Sequence, residues 1–597
     1  MIRAAARLSA ELAGFAILLF VTRFVMRSHL IPLMDQECHI GGIAIDVLAH
    51  GVRFPLFAYA PNEYDNGSFF SGLLTALSFA LLGRSVLALK LVTHVVSAAG
   101  AVGALWLLRG CLDDLGVTSR RARWAATAAL VIGFASAPSI VTLCSMYAVG
   151  NHAEGSAIDV ILLALFSRLV RTRSAARTAA FWALVGFALY LNKGTVLVIP
   201  VLGLAEIALA RRPRSRLLVA LAGFLVGVMP ELLVIAQRHG LGWSVMSSKP
   251  RVRGFPHAFL DDLATLGEHR IELLAAWAAS IVGGGALLTR LLGQRRRSAA
   301  APSGATPPSP TAPPITVAIV LAFTCLHLAA LTVMAQGGAD SYSIYGYATV
   351  VVLFALLVGW ICAGVEAHWG RRPATLAGVA AAALSVLLYR PDSLAWRPAA
   401  VSALWRNADA AVCSWRFAEG FEREHQYGLA PPGTTREQHA IARCRSLSEP
   451  DQILDCIGGI ARELNWRQNG RVNGEPPAGL SAAERHAYAY HWGTHRIGRR
   501  EPCSDFSSPE LAADCVDAVQ LECLVFTDVL ARLTSARGIA QPQCRLPEPP
   551  MHGYWAAMRR DFLARPAGKA PDMPRASGDN DLRACQPMLD ACYPRSF

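Results

Sequence analysis

Three short stretches of this chain carry residue types that can do chemistry. The first, MDQECHIGG, holds Asp35 and Glu37 two apart, followed by Cys38 and His39. A carboxylate pair can act as a general base or hold a divalent cation. An ordinary solvated loop would carry the same residues. The second, MYAVGNHAEGSAID, places His152, Glu154 and Asp159 at the start of an apolar helical run. A helix N-terminus favours carboxylates and anions, so capping accounts for Glu154 as readily as function does. The third, YLNKGTVLVIP, sets Lys193 beside Gly194. A lysine there can meet a phosphate, or can simply snorkel to a membrane surface. Lys249, Arg251 and Arg253 are further cations in the stretch 237–270.

The elements that must position them follow from composition. Of 597 residues, 53% are apolar and 17% charged, which excludes a disordered chain. Apolar runs near the ~20 residues that cross a bilayer recur along the chain. The first covers about Leu12 to Met26, after Arg3 and Arg7. No small-x-small cleavage site follows it, so it reads as an uncleaved span. Others fall near 86–108, 124–145, 155–170, 178–192, 194–210, 217–236, 271–290, 315–336, 343–365 and 374–389. The expectation is a polytopic α-helical membrane domain of about 11 spans over residues 1–390.

Charge orients it. Residues 1–390 hold 32 Lys+Arg against 18 Asp+Glu, and residues 391–597 hold 24 against 25. The excess is no single patch, which argues against nucleic acid. It lies in alternate loops: Arg109 with Arg120, Arg121 and Arg123; Arg168 to Arg177; Arg211 to Arg216; Arg290 with Arg295 to Arg297; Arg371 with Arg372. By the positive-inside rule these loops and the N-terminus are cytoplasmic. The apolar stretch Phe69 to Leu82 is short for a span, and counting it would invert every later loop. It reads as an interfacial or re-entrant helix in a long outer loop, 28–85. Residues 294–314 form an inner linker rich in Pro, Ala and Ser.

Residues 391–597 contain no span and are expected outside, as a mostly helical domain. They hold nine of the fourteen cysteines, which suits a disulfide-permissive compartment. Cys444 and Cys456 are twelve apart, and so are Cys503 and Cys515. The flanks correspond, RCRSLSEPDQILDCIGGIARE against PCSDFSSPELAADCVDAVQLE. Two copies of a small helical unit, about 444–463 and 503–522, are expected, each tied by its own disulfide. Nine is odd, so one thiol is free or pairs elsewhere, Cys38 being a candidate. Neither CxxC nor CxxCH occurs, so no zinc ribbon or haem attachment is supported. His491 and His495 are four apart with His486 nearby, but no third ligand is spaced to complete a site. A polar helical surface is expected there rather than a metal pair.

The membrane part resembles the GT-C superfamily of membrane glycosyltransferases, in particular protein mannosyltransferases and the lipid A aminoarabinose transferases. The matching segments are DQE at 35–37, HGVRFPLFAYAP at 50–61, LSFALLGRSVLALKLVTHVV at 77–96, NHAEG at 151–155 and ALYLNKGTVLVIPVLGL at 188–204. Lys90 stands where the family more often has arginine, and Thr195 replaces a proline. Gln36 separates an acidic pair that is often adjacent, which leaves open whether Asp35 or Glu37 is the base. The resemblance covers roughly residues 8–390 and does not extend to the cysteine-rich domain. It implies transfer of a sugar from a polyprenyl-phosphate donor to a protein, lipid or glycan acceptor on the outer face. Asp35 or Glu37 would deprotonate the acceptor, and Lys193 with Arg251 or Arg253 would stabilise the departing phosphate. His152 and Glu154 would orient a substrate. No resident cofactor is named, though the acidic pair can hold a divalent cation. Ala- and Arg-rich, Lys-poor usage points to a bacterial inner membrane with the C-terminal domain periplasmic. The rival is a non-enzymatic anchor or transporter whose outer domain binds a partner. A transporter should carry ionisable groups at mid-depth. Few are present: His94, His327 and, toward an outer end, Glu231.

Overall fold

A computed structural model of the protein describes residues 2–25, 35–52, 67–135, 153–169, 174–209, 213–237, 314–334, 347–388, 430–447, 449–467, 474–494 and 503–535, with a few isolated positions. Among these all regular structure is helical. In order come α1 (Ile2–Leu19) with a π turn (Phe20–Val25), α2 (Asp35–His50), α3 (Ser68–Leu82), α4 (Val86–Asp114), α5 (Arg120–Ala135), α6 (Ala153–Leu169) and α7 (Ala175–Leu191). A 3-10 turn (Lys193–Leu197) leads to α8 (Val198–Leu209), α9 (Pro213–Gln237), α10 (Ile315–Met334), α11 (Tyr347–Trp369) and α12 (Arg371–Leu388). The later part has α13 (Arg436–Arg445), α14 (Pro450–Arg467), α15 (Ala482–Gly493) and α16 (Pro509–Ser535). The expected span 271–290 and nearly all of the linker 294–314 lie outside the described residues. Helices cover the other expected spans, α5 only as far as Ala135. Two of them, Val86–Asp114 and Arg214–Ala236, are long and apolar enough to cross a membrane.

α4 is the axis of the first unit. Ser85 caps it, its hydroxyl accepting from the Ala88 amide at 3.1 Å, and α1, α3, α6, α10 and α11 pack around it. Gly100 and Gly103 let α6 approach, since a Cβ on either would press on Ala157 or on the backbone at Ile161. α7 and α9 meet more closely still. Gly223 and Gly227 lie against the Ala179 and Ala183 carbonyls, and Gly186 against that of Phe224. This is small-residue packing at a four-residue repeat, which brings backbones together.

The stretch 35–50 was expected as part of an outer loop, yet it is helical. Ile40, Ile43 and Ala44, buried at helical spacing, form an apolar face that docks on α3, with Ile43 filling the space left by Gly72. α3 buries a mixed face. Its buried side holds Ser68, Ser71, Thr75 and Ser78 together with Ala76 and Phe79, while Leu77, Leu81 and Leu82 are exposed, Leu81 at 73%. α9 likewise exposes Leu218, Leu221, Leu225, Val226 and Met229.

The second unit has its own core of Cys444, Cys456, Ile457, Ile460, Tyr488, Trp492, Phe506, Leu511 and Cys515. α15 packs against both α14 and α16. Capping boxes start α13 (Thr435 with Gln438) and α15 (Ser481 with Glu484), satisfying amides that would otherwise be orphaned. Disulfides join Cys444 to Cys456 and Cys503 to Cys515. In each unit a proline six residues after the first cysteine, Pro450 or Pro509, is the first helical residue, where its missing amide costs nothing. Cys523 is disulfide-bonded as well. The side chains of Cys38, Cys413, Cys544, Cys585 and Cys592 lie outside the described residues.

Candidate functional site

The polar side chains of the first unit gather at two levels. At one end of α4, Glu11 accepts from Arg109 (2.7 Å) and from the Trp106 indole (3.1 Å). The Arg168 guanidinium lies 3.8 Å over the Trp106 ring. Glu366 accepts from the Thr118 and Ser119 amides at the start of α5, and Asp114 caps the start of α10 through Thr316 N at 2.6 Å. Glu206 pairs with Arg216. Arg109 and Arg168, from two arginine clusters assigned to one side from sequence, thus meet around Trp106 and Glu11 at one end of the bundle.

The chemically interesting stretches gather at the other end. The Lys90 ammonium donates to both oxygens of Glu37, at 2.7 and 2.6 Å, and both side chains are fully buried. One turn on along α4, the Thr93 hydroxyl donates to buried Glu154 at the start of α6. Asp159, on the same helix, accepts from the Thr195 hydroxyl at 2.7 Å. Thr195 belongs to the turn Lys193–Leu197, whose start is capped by Asn192 accepting from Gly194 N at 2.9 Å. Gly155 leaves room for the Asn192 amide, and Gly67 for the Leu191 carbonyl; a Cβ at either would collide. Lys193 then reaches α9, where its ammonium lies 2.6 Å from Glu231.

Segments distant in sequence therefore form one contact chain, from α2 through α4 and α6 to the turn after α7 and on to α9. Asp35 opens α2, but its side chain, like His152, Arg251 and Arg253, lies outside the described residues. Two partners were not foreseen. Lys90 was noted only as a replacement for arginine, and Glu231 only for its depth. Only the fold could place both beside the singled-out residues.

In the second unit His491 departs from expectation. His491 is wholly buried, not part of a polar surface. Its Nε2 lies 3.1 Å from Asp455, also fully buried, and its ring fills the space above Gly458. Burial holds the imidazole below its usual pKa, against the pull of Asp455. His486 pairs with Asp514 at 2.5 Å, and burial raises that carboxyl above the usual range. Glu484 accepts from Arg445 at 2.9 and 2.8 Å, which holds its carboxyl down at about 2. No group of three or more metal-ligating side chains occurs among the described residues.

No family model and no curated protein matches the chain. Among solved structures it is similar to ArnT from Cupriavidus metallidurans bound to undecaprenyl phosphate. The identity is 13% and the TM-score 0.39, over 98% of this chain and 88% of that one. For the same protein in the apo state the figures are 11% and 0.34, over 99% and 89%. Likeness at these TM-scores settles neither fold nor function.

Proposed function

We propose that the chain is a membrane glycosyltransferase that moves a sugar from a polyprenyl-phosphate carrier to an acceptor on the outer face of the membrane. The observation that carries the reading is the convergence of Glu37, Glu154, Asp159 and Lys193, from the three singled-out stretches, at one end of the bundle. Arg109, Arg123 and Arg168, from two of the arginine clusters, sit at the other end. Lys90 and Arg109 mark the two levels on α4 and are nineteen residues apart. At 1.5 Å per residue that is about 28 Å, close to the ~30 Å of a hydrocarbon core. The exposed leucines of α3 and α9 suit a lipid solvent.

In the proposed step the acceptor hydroxyl or amine attacks the anomeric carbon and gives its proton to a carboxylate. The bond from that carbon to the phosphate oxygen breaks, and the electron pair leaves with the phosphate. Glu37 is already neutralised by Lys90, so the base role goes to Asp35, with Glu37 and Lys90 fixing the start of α2. Lys193 meets the charge that develops on the phosphate, joined by Arg251 or Arg253. His152 and Glu154 orient substrate. A divalent cation at the acidic pair would find Glu37 already taken by Lys90, so the step is drawn without it. The second unit is assigned to the periplasm of a bacterial inner membrane, where it would recognise acceptor or partner.

The test is native mass spectrometry of gently purified protein, followed by a transfer assay with whichever glycosylated carrier is retained. Retention of a polyprenyl phosphate, and loss of transfer in Asp35→Asn, are expected. Retention of bulk phospholipid alone, even after synthetic polyprenyl-phosphate sugars are added, would return the chain to the anchor or transporter reading.

A further inference from the structure

We propose that Glu231 is the counter-ion that reclaims Lys193 from the spent carrier phosphate, and so governs product release. This rests on the reading of Lys193 as the cation that meets the leaving phosphate.

The chemistry creates the need. The donor is a phosphodiester with one negative charge. Transfer breaks its sugar–oxygen bond and leaves a phosphomonoester, whose second ionisation falls near pH 6. Near pH 7 the product therefore carries more negative charge than the donor. A lysine placed to stabilise that charge holds the product more tightly than the substrate, and without a competitor it would slow turnover.

The geometry supplies a competitor. Glu231 lies 2.6 Å from the Lys193 ammonium, and the side chains are 15% and 23% exposed. Partly open to solvent, this pair can exchange more readily than the fully buried Lys90–Glu37 pair. The backbones on both sides are fixed. Asn192 and Thr195 anchor the turn that carries Lys193. Gly227 and Gly223, one and two turns before Glu231, seat α9 on α7. Only the lysine side chain has to swing between carboxylate and phosphate.

The experiment needs no knowledge of the sugar. Binding of a short-chain polyprenyl phosphate and of its methyl ester, a phosphodiester, is measured on the detergent-solubilised full chain by calorimetry. The proteins are wild type, Glu231→Gln, Lys193→Gln and the double variant. Glu231→Gln should bind the monoester about three- to ten-fold tighter and the diester less than about two-fold tighter, because the singly charged diester draws Lys193 off Glu231 only in part. The gain should fade below about pH 6 as the monoester loses its second charge. Lys193→Gln should weaken both ligands, and the double variant should match it, because the effect of Glu231 on phosphate binding runs through Lys193. Unchanged or weaker monoester binding by Glu231→Gln, with Lys193→Gln still impaired, would overturn the inference and leave Lys193 its role. Unimpaired binding by Lys193→Gln would remove the reading beneath it. Glu231→Ser must shift binding in the same direction, which separates lost charge from a local misfold.

Discussion

Lys90 and Glu37 face each other with neither side chain reaching solvent, the ammonium shared by both carboxylate oxygens. They tie α2, whose first residue is Asp35, to the first turns of α4. Removing one partner of a buried pair strands the other charge and costs about 3–5 kcal/mol, whereas replacing both with apolar groups is often near neutral. Lys90→Met and Glu37→Gln should each lower the melting temperature sharply in detergent. The double variant Lys90→Met/Glu37→Met should recover most of the loss. Equal losses in all three would mean that the pair contributes little as a pair.

The two acidic residues should separate kinetically. Asp35→Asn should cut the transfer rate by about 10²–10⁴, the usual contribution of a general base, with the melting temperature unchanged. Glu37→Gln should lower thermal stability first. An active Asp35→Asn protein would move the base elsewhere.

Much of this was legible in sequence. Apolar runs gave the helices, because a span needs a continuous stretch of apolar residues, and repeated cysteine spacing with Ser/Pro turns marked the paired units around 444–456 and 503–515. The helix 35–50 was missed because its apolar face is short and broken by Gly41 and Gly42, and docking on α3 rather than intrinsic propensity accounts for it. Lys90 looked like a conservative replacement, and nothing along the chain says that position 90 lies against position 37. His491 looked like surface because polar type alone does not reveal which helix face is covered. Pairings between distant segments depend on close backbone approach at Gly155, Gly223 and Gly227, and that appears only in three dimensions.

Acid should loosen the second unit in two stages. The folded pKa of His491 lies below its usual 6.5, so below about pH 6.5 the unfolded chain takes up a proton that the folded one refuses, and stability falls. Glu484 is depressed to about 2 from 4.5, so its contribution is complete above about pH 4.5 and is lost as pH falls through about 2. Hydrogen exchange across residues 482–493 of the full chain, corrected for intrinsic rate, should accelerate from about pH 6.5 downward. His491→Gln should abolish the first stage and keep the second. An unchanged first stage in that variant would assign it to another group.

Each disulfide should stabilise its own unit. For a loop closed by cysteines twelve residues apart, the chain-entropy estimate is about 3 kcal/mol. Cys444→Ala/Cys456→Ala and Cys503→Ala/Cys515→Ala should each raise exchange rates in the unit that loses its bond, and little around Lys90. Equal acceleration in both parts of the chain would show that they unfold together.

The closest helix contact gives the most local test. A Cβ on Gly227 would run into the Ala183 carbonyl, and one on Gly223 into that of Ala179. Both colliding atoms are backbone, so neither can rotate away. Gly227→Ala must therefore push α9 off α7, and Glu231, one turn further along the same face, should be drawn away from Lys193. Gly203, where a Cβ would come only to 3.9 Å from the Trp182 ring, provides the control on α8. We expect Gly227→Ala to reduce the yield of folded protein severalfold. In the protein that does fold, polyprenyl-phosphate binding should shift in the direction set by Glu231→Gln. Gly203→Ala should alter neither. If Gly227→Ala folds and binds like wild type, the α7–α9 contact is looser than its geometry implies and does not set the distance between Glu231 and Lys193.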